Sequence, residues 1–176
     1  MKYIKAIVSA LILIGLDQWT KYMVLLHIKP VKSIPLIPDI LSLTYHENRG
    51  AVWGIMQGQI PILIVTTMII LAVVFWIYSR IPNTKKYLWL RMIAILVVAG
   101  AIGNFIDRIV RHYVVDFIYF ELIDFPIFNV ADSYVVIAAF LLILVSIFVY
   151  KEDSDFDFLR LKKKNERNDV HEELVC

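Results

Sequence analysis

Cysteine is nearly absent from this chain. The single Cys176 is the last residue, which rules out an intrachain disulfide. No C-x-x-C or H-E-x-x-H pairing occurs either, so the usual spacing signatures of zinc and thiol-redox sites are missing, and neither metal nor cofactor is expected. A strong charge of one sign is lacking as well. Lys and Arg number 18 against 16 Asp and Glu, a formal net charge of +2, and the basic residues are dispersed between apolar runs. That pattern argues against nucleic acid as a partner. No internal repeat or low-complexity tract is present.

What the chain has in abundance is apolar sequence: 60% of its 176 residues are hydrophobic and the mean hydropathy is +0.71, above the roughly 45–50% of ordinary soluble domains. Four stretches are long enough to cross a bilayer as helices, which takes about 20 residues: 4–26, 60–78, 88–110 and 134–150. The fold class expected is therefore an α-helical membrane protein of four spans, with residues 1–150 as one membrane-embedded domain and 151–176 as a charged tail. Lys2, Lys5 and the run Ala6–Leu16 resemble a secretory signal peptide. No small-x-small site follows, however, and apolar character resumes at Tyr22–Leu26, so an uncleaved first span is expected. Asp17 and Lys21 then lie i,i+4 on one face, either neutralising each other or supporting a site.

Between the first two spans, Pro30, Pro35 and Pro38 break the helical pattern. Leu41-Ser-Leu-Thr-Tyr-His alternates like a half-buried strand, and His46–Ala51 reads as a turn. An extracytoplasmic loop over 27–59 with some β-structure is the expectation. His46 stands next to Glu47, but neighbours on a strand point to opposite faces, so no acid–base pair is assigned to them. Twelve of the eighteen Lys and Arg fall at the N-terminus, in the 79–91 connection and in the tail. By the positive-inside rule both termini are cytoplasmic.

That orientation gathers the polar residues at the outer face. Within Gly100–Ser133 lie Asp107, Asp116, Asp124 and Asp132 with Asn104 and Asn129. A charged Asp at mid-bilayer costs about 2.5–3.5 kcal/mol on insertion scales, so such residues are functional candidates. Gly100, Gly103, Asn104 and Asp107 share an inward helix face, where small residues permit close helix approach. Asp107 precedes Arg108 at a helix end and can be neutralised locally or orient its neighbours, and Asp124 before Phe-Pro126 reads as a turn residue. Asp116 sits in the extended run Val-Val-Asp-Phe-Ile, against a hydrophobic wall, and Asp132 near a helix N-terminus. Two carboxylates in one site divide into acid and base, because repulsion raises the proton affinity of one. Asp116 with Asp132 is the favoured pair; aspartates serving merely as caps and ion pairs are the alternative. A proton- or ion-coupled transporter would spread polar groups through the membrane depth, whereas spans two and four carry essentially none in their middles. A non-enzymatic assembly subunit, packing through Gly100 and Gly103, is the third class.

Five short motifs occur in order around the four spans: Asp17-Gln-Trp-Thr-Lys21, Asn48-Arg-Gly-Ala51, Gly100-Ala-Ile-Gly-Asn-Phe-Ile-Asp-Arg108, Val115-Asp-Phe117 and Phe128-Asn-Val-Ala-Asp132. In these the sequence resembles the lipoprotein signal peptidases (signal peptidase II), aspartyl proteases of the bacterial inner membrane. The resemblance implies Asp116 and Asp132 as catalytic dyad. It implies Asn48, Gly50, Asn104, Arg108, Asn129 and Ala131 around the substrate, with Asp17, Lys21 and Asp107 stabilising the site. It also implies cleavage of diacylglyceryl-modified prolipoproteins on the N-terminal side of the lipidated Cys, at the outer face of the cytoplasmic membrane. A monomer in contact with membrane lipid, and a target of cyclic peptide antibiotics of the globomycin type, complete what it implies. Val52 and Trp53 depart from the family's usual Ala-Phe after the Gly-Ala, and the tail lies beyond the motifs.

Overall fold

The computed structural model describes residues 2–50 and 57–159. Four long helices carry the chain: α1 (Lys2–His27), α2 (Ile60–Arg80), α3 (Leu88–Arg111) and α4 (Val130–Phe148). All four are long and apolar enough to cross a membrane. Their surfaces invert the pattern of a soluble protein. On α1 the buried residues are Asp17, Lys21 and Val24, while Ile4, Ile7, Leu11, Ile12 and Leu16 are exposed. An apolar outside with ionised residues inside is what lipid as solvent selects. α2 buries only Leu63 and Tyr78. It starts with Pro61 in its first turn, where a missing N–H costs nothing.

α3 is the central helix, packed against α1, α2, α4 and the strand that follows it. Small residues permit this. Ala99, Ala131 and Ala138 are fully buried. A Cβ placed on Gly100 would lie 2.5 Å from the Ala131 carbonyl oxygen, and one on Gly103 would lie 2.5 Å from Asp17 Oδ2. Neither position accepts a side chain without displacing its neighbour.

At the end of the bundle where α1 and α3 finish and α4 begins sits a three-stranded antiparallel sheet, ordered β1–β2–β3: β1 (Ser33–Ile37), β2 (Leu41–Asn48) and β3 (Val114–Phe120). β1 carries Pro35, which the sequence marks only as a break in the helical pattern; it is an edge strand, the one place in a sheet where proline is tolerated, and its register shifts between Pro35 and Ile37. β2 also runs further than expected. His46, Glu47 and Asn48 belong to the strand rather than to a turn, because they pair across to Asp116, Val115 and Val114. Val115 and Phe117 fix the sheet to the bundle by packing on Val24 and Ile28.

The chain leaves β3 through a 3-10 turn (Glu121–Ile123) and Asp124, whose φ of 46° confirms the turn expected there. It then returns: Phe128 N–H donates to Ile118 O at 3.1 Å, and Phe117 and Ile118 N–H donate to Phe128 O at 3.0 and 2.8 Å. This bridge sets Asn129, the N-cap of α4, beside β3. α4 begins at Val130, one turn before the expected Tyr134, so Asp132 lies inside its first turn. At the opposite end, a 3-10 turn (Asp153–Leu159) docks under the bundle. Asp155 pairs with Lys86, Tyr87 stacks on Tyr150 with ring centroids 5.8 Å apart, and Phe158 meets Tyr87 edge-on. The remaining tail, and the Ala51, Val52 and Trp53 positions of the sequence reading, lie outside the described residues.

Candidate active site

Asp116 and Asp132 are carried by different elements, and a single residue joins them. Asn129 caps α4 reciprocally with Asp132: its Oδ1 accepts from Asp132 N–H at 3.0 Å, and its own N–H donates to Asp132 Oδ2 at 3.1 Å. This capping box satisfies two helix-end donors at once. With its oxygen so engaged, the Asn129 amide nitrogen faces away from the helix and donates to Asp116 Oδ1 at 2.6 Å. The second oxygen of Asp116 accepts from Asn48 Nδ2 at 2.9 Å, and Asp132 Oδ1 accepts from Asn104 Nδ2 at 2.7 Å. Both carboxyls line one groove of about 870 Å³, together with Asn48, Gly50, Asn104 and Arg108.

Asp116 is 1% exposed. Burial, and then the nearby Asp132 charge, push its carboxyl up to about 7, against the opposing pull of the Asn48 and Asn129 amides and of Lys21. Loss of hydration disfavours the ionised form, and a like charge adds to the effect.

Behind the groove lies a second layer, fully buried. The Lys21 ammonium contacts Asp17 Oδ2 at 2.9 Å, Asp107 Oδ2 at 3.0 Å and Asn104 Oδ1 at 2.9 Å. Asp107 also accepts from Arg111 at 2.6 Å and from Val115 N–H at 3.2 Å. Its partners are therefore Lys21 and Arg111, not the adjacent Arg108. Consecutive helical residues diverge, whereas i and i+4 share a face. Asp17 Oδ1 accepts from Ala131 N–H at 2.9 Å, so α1 grips the first turn of α4. Arg108 instead turns into the groove, donating to Gly50 O at 3.2 Å, while its buried Nε has no partner among the described residues. Among the described residues, no group of three or more His, Cys, Asp or Glu forms a cation site.

Residues 9–148 match a family model described as signal peptidase (SPase) II. The chain belongs to the signal peptidase II family. It is 43% identical over 154 residues to a lipoprotein signal peptidase of Streptococcus thermophilus, covering 88% of this chain and 97% of that one. A lipoprotein signal peptidase of Enterococcus faecalis is 43% identical over 144 residues, covering 82% and 84%. A solved structure described as a bacterial membrane enzyme superposes with a TM-score of 0.73 at 37% identity, covering 85% of this chain and 92% of that one. The protein is thus a multi-pass membrane protease of this family.

In this signal peptidase II chain, all eleven residues singled out from the sequence fall into one connected region. Asp116, Asp132, Asn48, Gly50, Asn104 and Arg108 line the groove, with Asn129, Ala131, Asp17, Lys21 and Asp107 directly behind them. Sequence reasoning did not place His46, which the β2–β3 register sets directly opposite Asp116, on the groove wall. Continuing the strand alternation to Asn48 finds it. Nor did it place Gln18, whose amide donates to Gly103 O at 3.0 Å and to Asp17 Oδ2 at 3.1 Å, although Gln18 lies inside the first motif. The groove lining also includes the apolar Phe125, Phe128, Val135 and Val136 beside the polar Glu47, Arg49, Gln57 and Asp124, and Val136 is 68% exposed.

Proposed function

We propose that this protein is an aspartyl endopeptidase acting on prolipoproteins, with Asp116 and Asp132 as its dyad. It hydrolyses the peptide bond on the N-terminal side of a diacylglyceryl-modified Cys and so releases the signal peptide. The single observation that carries the reading is the Asn129 bridge, which ties the buried Asp116 carboxyl on β3 to the Asp132 carboxyl on α4 in one groove.

The mechanism follows from the surroundings of each acid. Asp116, raised to about 7, holds the shared proton. Asp132, at the N-terminal turn of α4 and accepting from a backbone N–H, acts as base. Asp132 takes a proton from water as its oxygen attacks the scissile carbonyl, and Asp116 gives its proton to the carbonyl oxygen. On collapse, Asp132 returns a proton to the leaving nitrogen while the diol hydroxyl restores the proton of Asp116, so the dyad ends as it began. Each well-placed proton transfer contributes about 10²–10⁴-fold in rate. The Arg108 Nε, without a partner among the described residues, supports a role in holding a substrate carbonyl, since a buried donor without an acceptor is costly until it is filled. The apolar part of the lining suits acyl chains that stay in lipid.

The basic-residue bias supports cytoplasmic termini, with the groove at the outer face of the membrane. The protein acts as a monomer, and cyclic peptides of the globomycin type occupy the same groove. The test is cleavage of a precursor peptide by purified protein in detergent with chelator present, comparing a diacylglyceryl-modified substrate with the same peptide unmodified. The proposal expects cleavage of the lipidated form alone, N-terminal to its Cys. No cleavage of either form by folded protein contradicts it.

A further inference from the structure

Three amide side chains surround the two carboxyls, and each has its oxygen taken by a group that can only donate. Asn48 Oδ1 accepts from Gly50 N–H at 2.9 Å, Asn129 Oδ1 from Asp132 N–H at 3.0 Å and Asn104 Oδ1 from the Lys21 ammonium at 2.9 Å. Backbone N–H groups and ammonium have no lone pair to offer. The NH₂ of each amide is thereby forced toward a carboxyl: Asn48 and Asn129 toward Asp116, Asn104 toward Asp132. Two of these anchors are main chain and present whatever the side chains are. The third is the side chain of Lys21.

Lys21 spends all three of its ammonium protons inside the protein, on Asp17, Asp107 and Asn104. Neutralising two buried aspartates accounts for two of those contacts. The contact to Asn104 is not needed for charge balance, because Asp107 also pairs with Arg111. Asn104 Oδ1 has a second donor in Asn129 Nδ2 at 3.1 Å, but that amide is committed to Asp116 at the shorter 2.6 Å. If Asn104 turned over, its NH₂ would face the ammonium and its oxygen would face Asp132 Oδ1. Two acceptors in contact are tolerated only when one carries a proton. Rotation of Asn104 and protonation of Asp132 are therefore one coupled event, and Lys21 opposes it.

We propose that Lys21 is a positioning residue for the dyad: by locking the Asn104 amide with its NH₂ toward Asp132, it keeps Asp132 a proton acceptor. The proposal rests on the dyad reading above. The charged groups facing Asp132 are Asp116 from β3, Lys21 and Asp17 from α1, and Arg108 from α3. Lys21 addresses the Asp132 carboxyl through the Asn104 amide.

The test uses the full chain in detergent with a lipidated precursor peptide. The charge-balanced variant Asp17→Asn/Lys21→Met removes one charge of each sign, keeps the Asp107–Arg111 pair and leaves an oxygen to accept from Ala131 N–H. Expected are a kcat lower by about 10–100-fold, the scale of a small misalignment of reacting groups, an unchanged KM, and an acidic limb of the pH–rate profile displaced to higher pH. Asn104→Asp keeps a partner for Lys21 but presents an acceptor to Asp132, so its acidic limb moves the same way while the scaffold is preserved. This second variant decides the matter if the first does not fold. Either variant, folded and with wild-type kcat and an unmoved acidic limb, overturns the proposal. Wild-type cleavage by Asp116→Asn instead overturns the dyad reading itself, which separates the two failures.

Discussion

Replacing Gly103 by alanine tests whether the buried charge layer is held by close helix approach. The added Cβ would lie 2.5 Å from Asp17 Oδ2 and 3.1 Å from Ala131 Cβ. Asp17 cannot simply swing away, because its carboxylate is engaged by Lys21 and Ala131 N–H, each at 2.9 Å. Overpacking of this kind costs about 1–3 kcal/mol, and loosening a hydrogen bond to a charged group costs about 1.5–3 kcal/mol more. Alanine's better helix propensity returns about 1 kcal/mol. The net expectation is a loss of about 2–4 kcal/mol, a fall in melting temperature of roughly 5–10 °C for a chain of this size. Because Asp17 grips the first turn of α4, cleavage falls with it. Gly15→Ala is the internal control: among the described residues nothing lies within 4 Å of its Cβ, so only the propensity gain remains. Thermal melts in one detergent, with cleavage measured on the same samples, decide the matter. If Gly103→Ala melts with or above Gly15→Ala and keeps its activity, the close-approach argument is wrong.

The pH dependence follows from Asp116. Its carboxyl is raised to about 7, so the one-proton dyad is intact below that pH, and kcat/KM falls as pH rises through about 7 and the proton is lost; an activity still climbing at pH 8 contradicts this. Asn129→Asp keeps an oxygen for the α4 cap and withdraws the donor to Asp116, so melting temperature holds within a few degrees while cleavage drops at least about 100-fold. Asn129→Ala loses the cap too, at a further cost of about 1–2 kcal/mol, visible as a lower melting temperature. Excess chelator leaves the rate unchanged, since two carboxyls and a water complete the reaction; a rate lost to chelator and restored by added cation would refute that.

The four helices were legible because each apolar run exceeds what a soluble core helix of similar length requires, and the Asp17–Lys21 pair because i,i+4 spacing allows few other arrangements. The extent of β2 was not, since His46–Asn48 is extended only by virtue of pairing with β3, a contact distant in sequence. β1 was hidden by Pro35, which is harmless on an edge. Asp132 at a helix start was legible; its reciprocal cap with Asn129, which begins α4 at Val130, was not, because it needs both side chains in place. That Asp107 is neutralised or orients its neighbours was legible; that Lys21 takes part was not, because it comes from a distant helix. What no pattern in the chain carried was the orientation of the three asparagine amides. That depends on donors brought from α1, from the α4 backbone and from Gly50 at the end of β2.

Measured together, cleavage and melting of Asp116→Asn and Asp132→Asn test the central claim most directly. Each substitution keeps shape and removes one acid. The account predicts that both proteins insert and melt near the wild type, and that each loses at least about 10³-fold in cleavage of a lipidated precursor, as expected when one member of a proton-sharing pair is removed. Mature product from either variant at near wild-type rates would contradict it.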